Sequence, residues 1–254
     1  MRLFGLIGFP LGHSFSASYF NRRFKEEGID AVYRNFPLKE VSDFGKLLDG
    51  EPELAGLNVT VPYKQAIIPF LDHLNDTAKT VQAVNTITFN RSGGHISLQG
   101  DNTDVVGFRR SLLEHLLPGQ REALVLGTGG ASKAVRYVLE QLGISYTLVS
   151  RTPGSQRVTY RELDEERVAR STLIINTTPL GMHPAVDACP DIPYHALGSG
   201  HLLYDLVYNP EKTTFLSRGE ANGASIVNGY DMLIYQAEAS WDIWNAKQPK
   251  ESQI

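Results

Sequence analysis

Lys64 stands just beyond a short apolar strand pattern, where an amine could pass a proton to or from a bound molecule. Asn58 and Thr60 alternate with apolar residues and therefore share one face of that predicted strand. Three apolar residues are predicted to share the opposite, buried face, namely Leu57, Val59 and Val61. Pro62 cannot donate to a neighbouring strand and favours a turn there. A lone lysine is most often a solvated surface charge, so its assignment to a site depends on the rest of the chain.

Asp104 offers a carboxylate at the start of a predicted amphipathic helix, where taken alone it would be a good N-cap. The predicted apolar side of this helix carries Val105, Phe108, Leu112, Leu113 and Leu116. Ser14 and Ser16 also lie between a strand end and a helix start, the helix being predicted from about Ala17. Each hydroxyl could cap that helix, or the two together could bind a carboxylate, and both alternatives stay open.

A glycine-rich turn lies between a predicted strand, 123–126, and a predicted helix that ends at Leu142. The turn consists of Gly127, Thr128, Gly129, Gly130 and Ala131, followed by Ser132. Glycines let the backbone approach a pyrophosphate, and a helix N-terminus favours its negative charge. This order of strand, turn and helix predicts a dinucleotide-binding fold.

The next predicted strand, 146–149, ends at Ser150, Arg151 and Thr152. A chain that binds NAD usually places an acidic residue there for the ribose hydroxyls. The cation and hydroxyls present here instead favour a contact with an adenosine 2′-phosphate, and therefore predict NADP as the cofactor. The alternative is that Arg151 is an ordinary surface arginine.

The order of predicted elements indicates an α/β fold of two domains. Strand patterns in the first half lie at 3–8, 31–36, from 57, and in a hairpin formed by 84–89 and 95–98. Those in the second half lie at 123–126, 146–149, 173–176, 202–208 and 225–229. We predict an N-terminal mixed-sheet α/β substrate domain, 1–103, and a Rossmann-like doubly wound dinucleotide-binding domain, 104–229. The C-terminal helix and tail, 230–254, are predicted to pack back on the first domain.

Composition narrows the class of partner. The 254 residues are 42% hydrophobic and 20% charged, with a net charge of −4 and a pI near 6.0. Such a chain has no basic surface for nucleic acid or an anionic membrane, so a small molecule is the expected partner. Cys189 is the single cysteine, and Met1 leads directly into a strand pattern. We therefore predict a cytoplasmic protein without disulfides, without a membrane span and without a metal site.

Five separated motifs, in one collinear order, closely resemble the signatures of the shikimate dehydrogenase family. They are residues 58–64, 83–86, 100–104, 127–131 and 176–182. The resemblance implies that Lys64 and Asp104 are the catalytic pair. It implies that the substrate is held by Ser14, Ser16, Asn58, Thr60, Asn85, Asp104, Tyr208 and Gln236. It assigns the cofactor to Gly127, Thr128, Gly129, Gly130, Ala131, Ser150, Arg151, Thr152, Leu206 and Gly229.

The chain departs from the family pattern at several loop positions. Phe9, Ala17 and Val105 stand where the family usually has Asn, Pro and Gly. In the adenosine-binding loop the first arginine, Arg151, is kept and the usual second arginine is absent. The size of the preference for NADP over NAD is therefore open from the sequence.

The resemblance implies an enzyme that reversibly reduces 3-dehydroshikimate to shikimate with NADPH, on the route to chorismate and the aromatic amino acids. Such a reduction needs a proton donor near the carbonyl oxygen, which Lys64 supplies. The reverse reaction needs a base, and a lysine is mostly protonated at neutral pH, so we interpret Lys64 and Asp104 as one coupled site. We expect a cleft between the two predicted domains, which closes when the substrate binds and excludes water.

Two alternatives stay open beside this function. A quinate or dual quinate/shikimate dehydrogenase would need room for one more hydroxyl. A non-catalytic ligand sensor on the same fold should have lost Lys64 or Asp104, and both are present. A monomer and a homodimer are equally compatible with the sequence.

Overall fold

The structure is a computed structural model, and it describes residues 1–12, 14–92 and 95–246. Its strands are β1 (Arg2–Gly8), β2 (Ala31–Pro37), β3 (Leu54–Val59), β4 (His73–Leu74), β5 (Thr86–Ser92), β6 (His95–Asp101), β7 (Glu122–Leu126), β8 (Ser145–Ser150), β9 (Arg157–Thr159), β10 (Leu173–Asn176), β11 (Leu202–Asp205) and β12 (Ser225–Val227). Its α-helices are α1 (Phe15–Glu26), α2 (Phe44–Gly50), α3 (Asp76–Val81), α4 (Asp104–His115), α5 (Gly130–Gln141), α6 (Glu165–Arg170), α7 (Thr214–Ala221) and α8 (Tyr230–Asn245). Short 3-10 helices lie at Val41–Asp43, Ile68–Phe70, Tyr160–Glu162 and Tyr194–Ala196.

The chain divides into two compact units, Met1–Thr103 with Ala237–Ile254, and Asp104–Gln236. We predicted that the dinucleotide-binding domain ends at residue 229, whereas the second unit ends at Gln236, inside α8. The physical reason is the composition of that helix. Ala237 and Trp241 belong to the aromatic core of the first unit, while the backbone carbonyl of Met232 faces Gly107 of α4 in the second.

The first unit contains a mixed sheet in the strand order β2-β1-β3-β5-β6-β4. β1 runs parallel to β2 and β3, while β5 is antiparallel to both β3 and β6. β1 is buried along nearly its whole length, as expected for a central parallel strand with both faces covered. One face is covered by α1 and the end of α8 through Phe4, Phe20, Phe24 and Trp241. The predicted mixed sheet is confirmed.

The second unit contains a parallel sheet in the order β12-β11-β10-β7-β8-β9. The chain leaves β7 towards one edge of the sheet and returns beside β7, at β10, to continue towards the other edge. This reversal between β7 and β10 is the doubly wound arrangement, and the carboxyl ends of these two strands form the usual ligand crevice. The predicted Rossmann-like fold is confirmed.

Several local predictions were wrong. The strand that was predicted from Leu57 to the turn at Pro62 ends at Val59, and Val61 is 69% exposed because the chain leaves the sheet there. Leu113 is 47% exposed, since at 100° per residue it lies beside the face formed by Phe108 and Leu112. α1 begins at Phe15, earlier than predicted.

Other local features were missed or cannot be compared. Sequence analysis did not identify β4, β9, α6 or α7, which are short or polar. Gly93 and Gly94, between the two segments of the predicted hairpin, lie outside the described residues, as does the predicted tail from Lys247. No helix in the described ranges is both long enough and apolar enough to cross a membrane.

Candidate active site

Lys64 is held by backbone contacts on both sides of the turn that follows β3. The Thr60 N–H donates to the carbonyl of Ile7 at 2.9 Å, and the Lys64 carbonyl accepts the Val84 N–H at 2.7 Å. Between them, the buried Tyr63 donates its hydroxyl to the Leu38 carbonyl at 2.7 Å. These contacts fix the chain on which the half-buried Lys64 side chain stands.

Asn58 is the centre of a buried hydrogen-bond network. Its Oδ1 accepts the Tyr33 hydroxyl at 2.8 Å. Its Nδ2 donates to the Asn85 carbonyl at 3.1 Å, to Thr86 Oγ1 at 3.3 Å and to Ser240 Oγ at 2.9 Å. Burial raises the pKa of Tyr33 well above its usual range, so this hydroxyl remains a donor at physiological pH. On the predicted polar face of the strand, Asn58 therefore belongs to an internal hydrogen-bond network.

Asn85 ties the end of β6 to the strand that carries Asn58. Its Oδ1 accepts the Thr103 N–H at 2.6 Å, and its Nδ2 donates to Thr103 Oγ1 at 2.9 Å. Its backbone N–H donates to the Asp101 carbonyl at 3.1 Å. Both sides of the amide are thus engaged by the residue that immediately precedes Asp104. Asp104 itself is buried and is the first residue of α4, in the second unit.

Ser14 is the N-cap of α1. Its Oγ accepts the Ala17 N–H at 3.2 Å and donates to Asn35 Oδ1 at 2.7 Å, while Asn35 donates to the Gly12 carbonyl at 3.2 Å. The capping role is confirmed, and whether Ser14 also binds a carboxylate stays a prediction. The Ser16 side chain lies near the hydroxyl of Tyr33, which donates to Asn58 Oδ1.

The glycine turn after β7 has the backbone that a pyrophosphate site requires. Gly127 has a φ of +108°, a conformation that favours glycine, and a side chain there would meet Thr177 Oγ1 at 2.7 Å. Gly129 caps α5 in extended conformation, and a Cβ on it would meet no atom within 4 Å. Ser132 donates its hydroxyl to the Gly129 carbonyl at 2.7 Å, which fixes the turn from inside the helix. The α5 N-terminus therefore offers open backbone to an anion, which fits a dinucleotide.

The loop after β8 presents Arg151 on the surface. Ser150 Oγ accepts the Thr152 N–H at 3.2 Å, so the loop is held beneath the arginine while Arg151 stays exposed. Burial raises the pKa of Tyr160 to about 12, and the nearby charge of Arg151 opposes that rise. Arg157 folds against Gly154 and donates to the Pro153 carbonyl at 3.2 Å. In this structure Arg157 therefore supports the loop.

A buried carboxylate, which sequence analysis did not single out, fixes the loops after β10 and β11. Asp205 Oδ1 accepts Asn176 Nδ2 at 2.9 Å and the Val207 N–H at 3.0 Å, and Oδ2 accepts the Thr213 hydroxyl at 2.6 Å. The Leu206 carbonyl packs so closely on Gly229 that no side chain would fit there. The sequence signal that could have identified this network is that Asn176 and Asp205 each end an apolar strand, β10 and β11.

Tyr208 and Gln236 occupy partly enclosed positions in the second unit. Tyr208 is half-buried, and burial raises the pKa of its hydroxyl. Gln236 is buried on α8, where its Nε2 donates to the Leu233 carbonyl at 3.0 Å. Gly107 of α4 lies against its Cβ, and any larger residue at 107 would collide with α8.

We predict that Asp205 lowers the free energy of unfolding by an amount that depends on pH. Burial raises its pKa from 3.8 to about 6, although three hydrogen bonds to the carboxylate oppose that rise. Ionisation of Asp205 therefore destabilises the folded state. This destabilisation is absent below pH about 4 and fully present above pH about 6. The free energy of unfolding of Asp205→Asn should rise relative to wild type between those values. Denaturant titrations of both proteins at about pH 4 and 7 measure this, and a gap that does not change with pH would contradict it.

The chain is similar in sequence to known proteins of one family. Residues 6–87 match the family model described as the shikimate dehydrogenase substrate binding domain. A shikimate dehydrogenase (NADP(+)) of Halothermothrix orenii is 39% identical over 97% of this chain and 91% of its own length. The chain belongs to the shikimate dehydrogenase family. Lys64 and the predicted substrate contacts of the first unit lie within the matched segment: Ser14, Ser16, Asn58, Thr60 and Asn85.

Solved structures of the shikimate dehydrogenase family have the same fold over almost the whole chain. A shikimate 5-dehydrogenase of Thermus thermophilus, in complex with NADP(H) and shikimate, has a TM-score of 0.85 and 28% identity, covering 98% of this chain and 95% of its own. A quinate dehydrogenase of Corynebacterium glutamicum, in complex with NAD, has a TM-score of 0.84 and 29% identity, with the same coverage. Proteins similar to this chain thus include a shikimate 5-dehydrogenase in complex with NADP(H) and shikimate and a quinate dehydrogenase in complex with NAD.

Proposed function

We propose that the protein is an NADP-dependent shikimate dehydrogenase, which interconverts 3-dehydroshikimate and shikimate. The observation that carries this proposal is the likeness, over 97% of the chain, to a relative named for that activity. The presence of Lys64, Asp104 and the complete glycine turn supports it. NADPH, when bound, supplies the hydride. An assay of NADPH formation from shikimate tests the proposal, and an inactive protein would overturn it.

The proposed proton donor is Lys64. Reduction of a ring ketone places negative charge on its oxygen, and a positive amine near that oxygen stabilises the charge and delivers the proton. Asp104 is proposed to orient Lys64 and a substrate hydroxyl. Because Thr103 is anchored to Asn85 at 2.6 and 2.9 Å, the backbone that leads into Asp104 is held in place.

The proposed substrate contacts are polar groups of each unit. Ser14 and Ser16 bind the carboxylate, and the ring hydroxyls are contacted by Asn58, Thr60, Asn85, Asp104, Tyr208 and Gln236. The pyrophosphate of the cofactor meets the turn at Gly127–Ala131, and its 2′-phosphate meets Ser150, Arg151 and Thr152. Leu206 and Gly229 complete the cofactor contacts. The buried Asp205 network supports this assignment because it fixes the backbone at Leu206.

A quinate or dual-specificity dehydrogenase is the second candidate, favoured by the likeness to the quinate dehydrogenase structure. The non-catalytic sensor is disfavoured because both proposed catalytic residues are present. A cytoplasmic location, with the enzyme as monomer or homodimer, completes the proposal. The single cysteine supports that location, because disulfides are typical of oxidising compartments.

We predict that replacing both Ser14 and Ser16 by alanine raises KM for shikimate while the protein remains folded. The cap contact with Ala17 and the hydrogen bond to Asn35 are lost, which should cost less than about 2 kcal/mol of stability. Steady-state kinetics and thermal unfolding of the double variant test this. An unchanged KM together with a marked loss of stability would leave the serines with a capping role alone.

A further inference from the structure

Ser240 is a buried polar residue of α8 that lies between two apolar neighbours on the helix. Ala237 and Trp241, its neighbours on that helix, belong to the aromatic core of the first unit. The Ser240 side chain is fully buried, and its Oγ lies 2.9 Å from Asn58 Nδ2. A buried hydroxyl costs free energy unless it is hydrogen-bonded. The hydrogen bonds of Ser240, and not its packing alone, therefore determine its contribution.

Three hydroxyl oxygens form a closed triangle at this point. Ser240 Oγ lies 2.8 Å from Thr86 Oγ1 and 3.1 Å from Thr103 Oγ1, and the two threonine oxygens are 3.2 Å apart. All three residues are buried. Each hydroxyl has one hydrogen and two lone pairs. Each can therefore donate to the next hydroxyl of the triangle, accept from the previous one and still accept an amide hydrogen. Removing any one oxygen breaks two of its three sides.

The triangle accepts the amide hydrogens of two asparagines. Asn58 donates from Nδ2 to Ser240 and Thr86, and Asn85 donates from Nδ2 to Thr103 at 2.9 Å. A rotated Asn58 amide would turn its Oδ1 towards the Asn85 carbonyl oxygen, 3.1 Å from the present Nδ2 position. A rotated Asn85 amide would turn Nδ2 towards the Thr103 N–H. Both rotations set like groups against each other, so each amide has one orientation.

We propose that Ser240 is a positioning residue for the substrate, which acts by holding the Asn58 amide directly and the Asn85 amide by way of Thr103. This inference rests on the proposed function, because that proposal makes the two asparagines substrate contacts. The residue lies far along the chain from both of them, and it brings the last helix into the substrate-binding network. Ser240 does not itself contact the reacting atoms in this proposal.

Two substitutions separate hydrogen bonding from packing. Ser240→Ala removes the oxygen, and Ser240→Cys fills the same space with a much weaker hydrogen-bonding atom. We expect both variants to raise KM for shikimate about five- to tenfold, the effect of one imperfectly oriented hydrogen bond. KM for NADP should stay within about twofold of wild type and kcat within about threefold, because neither the cofactor turn nor Lys64 is touched.

Ser111→Ala is the matched control. Ser111 is a buried serine of α4 in the second unit, and it accepts the Tyr204 hydroxyl at 2.8 Å. We expect a fall in melting temperature comparable to that of Ser240→Ala, with an unchanged KM for shikimate. The inference is overturned if Ser240→Ala keeps KM within twofold of wild type, if Ser240→Cys restores it, or if Ser111→Ala raises it equally. Failure of the proposed function has a different signature, since wild type itself would then be inactive with shikimate.

Discussion

Lys64→Ala is expected to lower kcat by roughly 10²–10⁴-fold, with a much smaller change in KM for shikimate. The loss is that of a general acid–base group, which acts in the transition state more than in substrate binding. Lys64 is well suited to this role because its backbone is fixed by Val84 on one side and by the turn after Thr60 on the other. Steady-state kinetics in both directions measure the effect.

Two further variants show whether the loss at Lys64 is chemical. Lys64→Arg keeps the positive charge but cannot give up its proton, so it should also lose most of kcat. Lys79→Ala removes an exposed lysine of α3 that pairs with Asp76, and it should have wild-type kinetics. A Lys64→Ala protein that retains more than about a third of wild-type kcat would refute the assignment.

Arg151→Ala is expected to raise KM for NADP by at least about tenfold and to leave KM for NAD nearly unchanged. One charge-assisted contact is worth about 1.5–3 kcal/mol, or roughly 10–150-fold in affinity. The preference for NADP should lie within that range, because the exposed Arg151 is the proposed contact and Arg157 is engaged with the Pro153 carbonyl. NAD has no 2′-phosphate for the guanidinium to meet.

Arg161→Ala is a control for the Arg151 experiment, because Arg161 is also exposed and lies in the 3-10 helix that follows β9. Its removal should change neither KM for NADP nor KM for NAD. If Arg151→Ala weakens NADP and NAD equally, the arginine stacks on adenine or supports the loop, and the assignment of the 2′-phosphate contact is wrong.

The elements that carry the proposed site could be predicted because their signals are local. The apolar run of β7, the glycine turn and the start of α5 are contiguous in sequence, and the structure places them in that order. The alternation around Asn58 correctly predicted that it lies opposite Leu57 and Val59. Ser14 was correctly considered as a cap, since capping depends on residues only three positions apart.

The parts that could not be predicted depend on contacts between distant segments. Asn58 is 182 positions from Ser240, and no periodicity within either segment specifies that they meet. Asp205 is buried because Thr213 and Asn176 converge on it from two other segments. Val61 was misassigned because strand alternation does not reveal where a strand leaves its sheet. The β9 strand has only three residues, too few to show an alternating pattern, and it pairs with the edge of β8.

The proposed activity as an NADP-dependent shikimate dehydrogenase is tested by one spectrophotometric assay of the wild-type protein, in which shikimate and quinate are each paired with NADP and NAD. We predict that shikimate with NADP gives the highest kcat/KM, and that NAD in place of NADP lowers it by roughly 10–150-fold. Quinate should be the poorer substrate with either cofactor. A protein that oxidises quinate with NAD faster than shikimate with NADP, or that oxidises neither acid, would contradict the account.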